Sequence, residues 1–133
     1  MKKMALTLLL ITLTIQAFSP NLKELYILVD EPINPYEAII NAVVAVESGG
    51  DTFAYNSKEG ATGAFQIRQI RLDEYNKLSG ENLKLIDCYD YEISKRIFLY
   101  YSCKFRPDDY RSIAVDWNKS KTDKYWNKVK QRL

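Results

Sequence analysis

Between Asn34 and Gly50 the chain spells out one amphipathic helix with a start, a single apolar face and a stop. Asn34 supplies an N-cap side chain, Pro35 suits the first helical position, and Glu37 stands three residues after the cap. Tyr36, Ile39, Ile40, Val43, Val44 and Glu47 recur at spacings of three and four, which is one helical face. Gly49 and Gly50 stop it. The apolar face thus ends on a carboxylate. A glutamate at a helix C-terminus meets the negative end of the macrodipole, and burial also disfavours its charged form, so both effects raise its pKa. A carboxyl still protonated near neutral pH is a general acid of the kind used on glycosidic oxygens. By position alone, Glu47 is equally well a solvated glutamate on a last turn.

The remaining pattern describes a small, mainly α domain. Residues 51 to 65 hold Asp51, Asn56, Ser57, Gly60 and Gly63 among isolated aromatics, which reads as an irregular or hairpin-like segment. Helical pattern resumes near Gln66 and runs to Leu78, where Ser79 and Gly80 break it. A third helix fits residues 90 to 104, with Ile93, Ile97, Phe98 and Tyr101 along one side. Phe105 to Asp109 is a turn with an aspartate cap, leading to a fourth short helix carrying Tyr110, Ile113, Ala114 and Trp117. Thr122 is expected to cap a fifth, which carries Tyr125, Trp126, Val129 and Leu133.

Ahead of this domain, residues 1 to 19 read as a secretory signal: Lys2 and Lys3, an apolar run from Met4 to Ile15, then small or polar residues around Ala17 and Ser19. The run is shorter than the roughly 20 residues that span a bilayer. Residues 20 to 33 form an N-terminal arm, and residues 34 to 133 the domain. Loss of Lys2 and Lys3 with the leader leaves 17 basic against 17 acidic residues, so the overall charge of +2 gives no argument for nucleic acid. With no histidine and only Cys88 and Cys103, neither a zinc site nor a Ser-His-Asp triad is available, and no cofactor is expected. An exported compartment permits a disulfide. If one helix carries both cysteines, however, a rise of about 1.5 Å per residue sets their Cα atoms roughly 22 Å apart against a bridging limit of about 7 Å. Two buried free thiols are expected.

The segment from Glu47 to Ile67, ESGGDTFAYNSKEGATGAFQI, resembles the signature of the lysozyme-like transglycosylases, the soluble lytic transglycosylase or SLT domain. That family joins a Glu-Ser at a helix end to a Gly-Ala-x-Gly-x-x-Gln-Ile block, here Gly60 to Ile67. Its third motif is an aromatic-Asn pair after an alanine-rich turn, which Ala114, Trp117 and Asn118 match. A closing Lys-Tyr-Trp-x-Lys-Val segment is similar to Lys124–Val129, so the likeness covers about residues 34 to 132. Three departures stand out. Lys119 and Ser120 follow Asn118 where the family has glycines, Phe65 replaces a common methionine before the glutamine, and Trp117 stands where many members use tyrosine. Any hydrogen bond from Trp117 to Glu47 must therefore come from an indole N–H.

The resemblance implies a peptidoglycan lytic transglycosylase that cuts the β-1,4 bond between N-acetylmuramic acid and N-acetylglucosamine and leaves 1,6-anhydromuramyl ends. Glu47 would be acid and then base. Ser48 would orient a carboxylate or substrate group, Gln66 would bind sugar, and Trp117, Asn118 and Tyr125 would line the cleft. Each also has an ordinary reading: Trp117 and Tyr125 as core aromatics, Ser48 as a helix terminator, Gln66 as surface.

Two alternatives remain open. One is a hydrolytic muramidase with Asp51 as the second carboxylate, beside the ordinary reading of Asp51 as a turn residue; Asp116 is a weaker candidate. The other is a secreted glycan-binding or assembly module without turnover. The expected setting is the periplasm or cell envelope, and the expected partners are glycan strands. A monomer serving an envelope-spanning secretion or conjugation apparatus is suggested by small size through fold-level analogy.

Overall fold

A computed structural model describes Asn34–Leu133. The expected leader and arm, residues 1 to 33, lie outside the described residues. Within them the fold is mainly helical, with five α-helices and one two-stranded sheet, as the sequence pattern predicts. Helix α1 is Glu37–Glu47 and buries Ile39, Ile40, Ala42, Val43 and Val44. Its start lies later than expected. Asn34 does not cap the helix: its carbonyl accepts Glu37 N–H at 3.0 Å and its Oδ1 accepts Tyr36 N–H at 3.0 Å. With Pro35 second and Tyr36 at φ −95°, ψ 2°, residues 34 to 37 have the shape of a type I turn that feeds the helix.

Strands β1 (Tyr55–Asn56) and β2 (Ala61–Thr62) pair antiparallel, Tyr55 with Thr62 and Asn56 with Ala61. Immediately after β2, Thr62 and Ile67 exchange two backbone hydrogen bonds of 2.9 Å around a tight turn in which Gln66 takes φ 50°. A helix beginning at Gln66 would need right-handed backbone there and the Ile67 carbonyl free to accept from Arg71, and neither is available. Helix α2 accordingly spans Gln69–Ser79 and stops at Gly80.

A 3₁₀ turn, Leu85–Tyr89, precedes helix α3, Tyr91–Ser102, whose cap Asp90 accepts N–H groups of Glu92 and Ile93 at 2.9 and 3.0 Å. Helix α4, Tyr110–Asn118, is capped by Asp109 as expected. Helix α5 is Lys124–Lys130. Thr122 is not its cap, because Asp123 holds that position with its carboxylate committed to Arg111 at 2.6 Å, and Leu133 lies exposed beyond the last turn. Cys88 sits in the 3₁₀ turn and Cys103 just past α3; both are free, but only Cys88 is buried, so the expectation of two buried thiols holds for one.

The core lies where α1, α3, α4 and α5 meet. At its centre Phe98 packs against Phe65 and Trp117 at ring separations of 5.2 and 5.0 Å, with Ile39, Ile97, Ile113 and Val129 around them. Helix α1 contacts α4 and α5, and α3 contacts α4, so the C-terminal end of α1 faces the last two helices.

Candidate active site

Glu47 is the last residue of α1, on the face that buries Val43 and Val44. Its Oε1 accepts the phenol hydroxyl of Tyr125 from α5 at 2.7 Å. The donor is a tyrosine on α5 rather than the indole N–H of Trp117 on α4. Burial raises the pKa of Glu47. The Tyr125 hydrogen bond opposes that rise, the charge of Glu59 adds to it, and Arg68 and Lys128 oppose it. Tyr125 is itself buried beside this carboxylate, which pushes its hydroxyl far up and keeps it a proton donor.

In front of Glu47 opens a cleft of about 310 Å³. Four of the residues selected from sequence meet there: Glu47, Gln66, Trp117 and Asn118. They come from the end of α1, the turn after β2 and the end of α4. Gln66 gives its amide N–H to the carbonyls of Ala54 and Gly63 at 3.3 and 3.0 Å, which ties it to the hairpin and leaves the amide oxygen as its remaining polar group. Asn118 closes α4, and Trp117 places its ring in the aromatic core while bordering the cleft.

No family model, curated protein or solved structure matches this chain. The site therefore rests on its own geometry.

Four residues named from sequence lie off the cleft lining. Tyr125 acts from behind, through Glu47. Ser48 donates its hydroxyl to the Val44 carbonyl at 3.3 Å and accepts Gly50 N–H at 3.2 Å, which makes it a helix terminator rather than an orienting group for the carboxylate. Asp51 accepts Phe53 N–H at 2.8 Å in an exposed turn and has no place in the cleft, so the water-activating role weighed for it loses its geometry. Asp116 is drawn to Lys119 and Lys104 at 2.8 and 2.9 Å. Burial pushes its carboxyl up, but the two ammonium groups outweigh this and hold it below the ordinary value.

Besides Lys119, the cleft holds charged residues that no motif in the sequence singles out: Glu59, Arg68, Arg71 and Glu74. Arg71 stacks between the rings of Tyr101 and Trp117, 4.3 and 5.0 Å from their centroids. Its Nη2 donates to the carbonyls of Asp116 and Trp117 at 3.2 and 2.8 Å. These are orphan acceptors of the last turn of α4, so one side chain from α2 fixes the end of the helix that presents Asn118. Just beyond, Lys119 takes the left-handed conformation, φ 57°, that a glycine would adopt freely, at a cost of roughly 1–2 kcal/mol. A signal for Arg71 and Glu74 was present in their spacing of three, which puts them on one face of α2.

Proposed function

We propose that the domain is a peptidoglycan lytic transglycosylase that cleaves the MurNAc-GlcNAc β-1,4 bond with Glu47 as its acid and base. The supporting observation is a half-buried carboxyl, raised in pKa by burial, that receives a tyrosine hydroxyl on one side and faces a sugar-sized polar cleft on the other. Cleavage begins when protonated Glu47 gives its proton to the glycosidic oxygen and the C1–O bond breaks. The substrate's own N-acetyl group stabilises the electron-poor C1. Glu47, now a carboxylate, takes the proton of the C6 hydroxyl as that oxygen closes on C1, which forms the 1,6-anhydro ring and restores the acid. One group serves both steps because its pKa lies closer to operating pH than an ordinary glutamate's. Tyr125 holds the carboxylate in place between the steps.

In this reading the chain is exported, and it acts on glycan strands in the periplasm or envelope. Service to an envelope-spanning apparatus fits a catalytic unit this small.

Mass analysis of muropeptides released from purified sacculi by the mature protein tests the assignment. Wild type is expected to release anhydromuramyl products, and Glu47→Gln to lose release by about 10²–10⁴-fold while it keeps the wild-type circular dichroism. A wild type that releases nothing, with Glu47→Gln binding sacculi equally well, would replace this reading with a glycan-binding module.

A further inference from the structure

The turn that joins β1 to β2 is built to place one side chain. Asn56 Oδ1 accepts Lys58 N–H at 3.1 Å, the Asn56 carbonyl accepts Glu59 N–H at 3.2 Å, and Gly60 follows at φ 60°. Glu59 is thereby fixed at the last position of a closed turn, and it lines the same cleft as Glu47. Among the described residues its one ionic neighbour, Arg68, stands 3.8 Å away, and both side chains are about half exposed, so the pair is loose and solvated. Glu74, the third carboxylate of the cleft, is engaged by the Tyr101 hydroxyl at 3.2 Å.

We propose that Glu59 is the base of a second, hydrolytic outcome in this cleft, so that the enzyme releases reducing muramic acid ends together with anhydro ends. The inference rests on the glycosidase reading of Glu47. The atoms balance in a single displacement. Glu47 passes its proton to the glycosidic oxygen, the C1–O bond breaks toward the leaving sugar, and a water oxygen bonds to C1 as Glu59 takes one of its protons. Glu59 then returns that proton to solvent and Glu47 recovers one, so the net reactants are glycan and water. Two carboxylates flanking the scissile bond with a water between them is the arrangement of inverting glycosidases. Arg68, 3.8 Å away, leaves the Glu59 carboxylate open to solvent and to a water in the cleft. Among the cleft carboxylates, Glu59 is the one whose charge acts on Glu47, which sets the two at electrostatic range of each other.

The experiment counts products. Muropeptides released by wild type, Glu59→Gln and Asp51→Asn are reduced with borohydride, and reduced muramic ends are quantified against anhydro ends by mass spectrometry. Wild type should yield both kinds. Glu59→Gln should lower the ratio of reducing to anhydro ends by about tenfold or more. Asp51→Asn, which removes a nearby exposed charge outside the cleft, should leave the ratio at the wild-type value. A wild type that yields anhydro ends alone, a Glu59→Gln ratio equal to wild type, or an equal fall in Asp51→Asn overturns the role of Glu59 while leaving Glu47 as acid. A wild type that releases no muropeptide overturns both readings.

Discussion

Glu47 carries a cost that the rest of the domain bears. In the unfolded chain its carboxyl titrates near the ordinary value of 4.5, whereas in the native protein burial holds the pKa higher. As pH rises past the lower value, the native state keeps a proton that the unfolded chain has lost. Stability from this group therefore declines across the window between the two values and stays low above it. Glutamine does not titrate, and its amide oxygen still accepts the Tyr125 hydroxyl. Glu47→Gln is expected to gain stability relative to wild type as pH moves from below 4.5 to neutral, read from urea unfolding midpoints at each pH. Parallel pH profiles for the two proteins would show that burial of this carboxyl has no such cost. The candidacy of Glu47 was legible in sequence because an apolar face and a helix stop are local signals. Tyr125 was legible only as an aromatic at helical spacing, since nothing local tells a core tyrosine from one that reaches a carboxylate 78 residues away.

At the scale of elements, helix existence followed from periodicity and helix starts did not. Residues 34 to 37 contain every cap signal, yet Pro35 takes the second position of a turn and delays α1. Gln66 begins an apolar pattern, yet its neighbours hydrogen-bond across a turn and delay α2. In both cases backbone groups found partners that a pattern of side chains cannot reveal. The Gly60–Ile67 block also shows why its glycines differ. At Gly63, φ is 77° and an added Cβ would run into the carbonyl of Cys88, which already accepts the Ser94 hydroxyl at 2.6 Å. At Gly60, φ is 60° but the space is open. Gly60→Ala is expected to cost roughly 1–2 kcal/mol, the left-handed penalty alone. Gly63→Ala is expected to cost more and to expose Cys88 to thiol reagents, whereas equal losses would mean that the β2 turn is not fastened to the 3₁₀ turn. Glu59 escaped the sequence reading because a turn glutamate before a glycine is commonplace, and only the closed hairpin brings it to the cleft.

The whole molecule brings its first described helix and its last two to one place. The cleft collects side chains from α1, the hairpin, α2 and α4, and none of its walls is complete within one segment. That explains which part of the fold could be anticipated: a mainly α domain is written in local spacing, while a cleft is a property of distant pairs. Many enzymes lose activity before they lose structure, because their sites sit on loops that open first. Here the hydrogen bond between Glu47 and Tyr125 ties the acid to α5, whose Val129 is buried in the core. Cleavage activity and helical signal should disappear together along a urea series, and activity that vanishes well before the helices would show the site to be a separately melting unit. The consequence concerns timing. A chain that emerges N-terminus first presents Glu47 long before Lys124–Lys130 arrives, so the buried Glu47–Tyr125 pair stays unassembled until that helix docks.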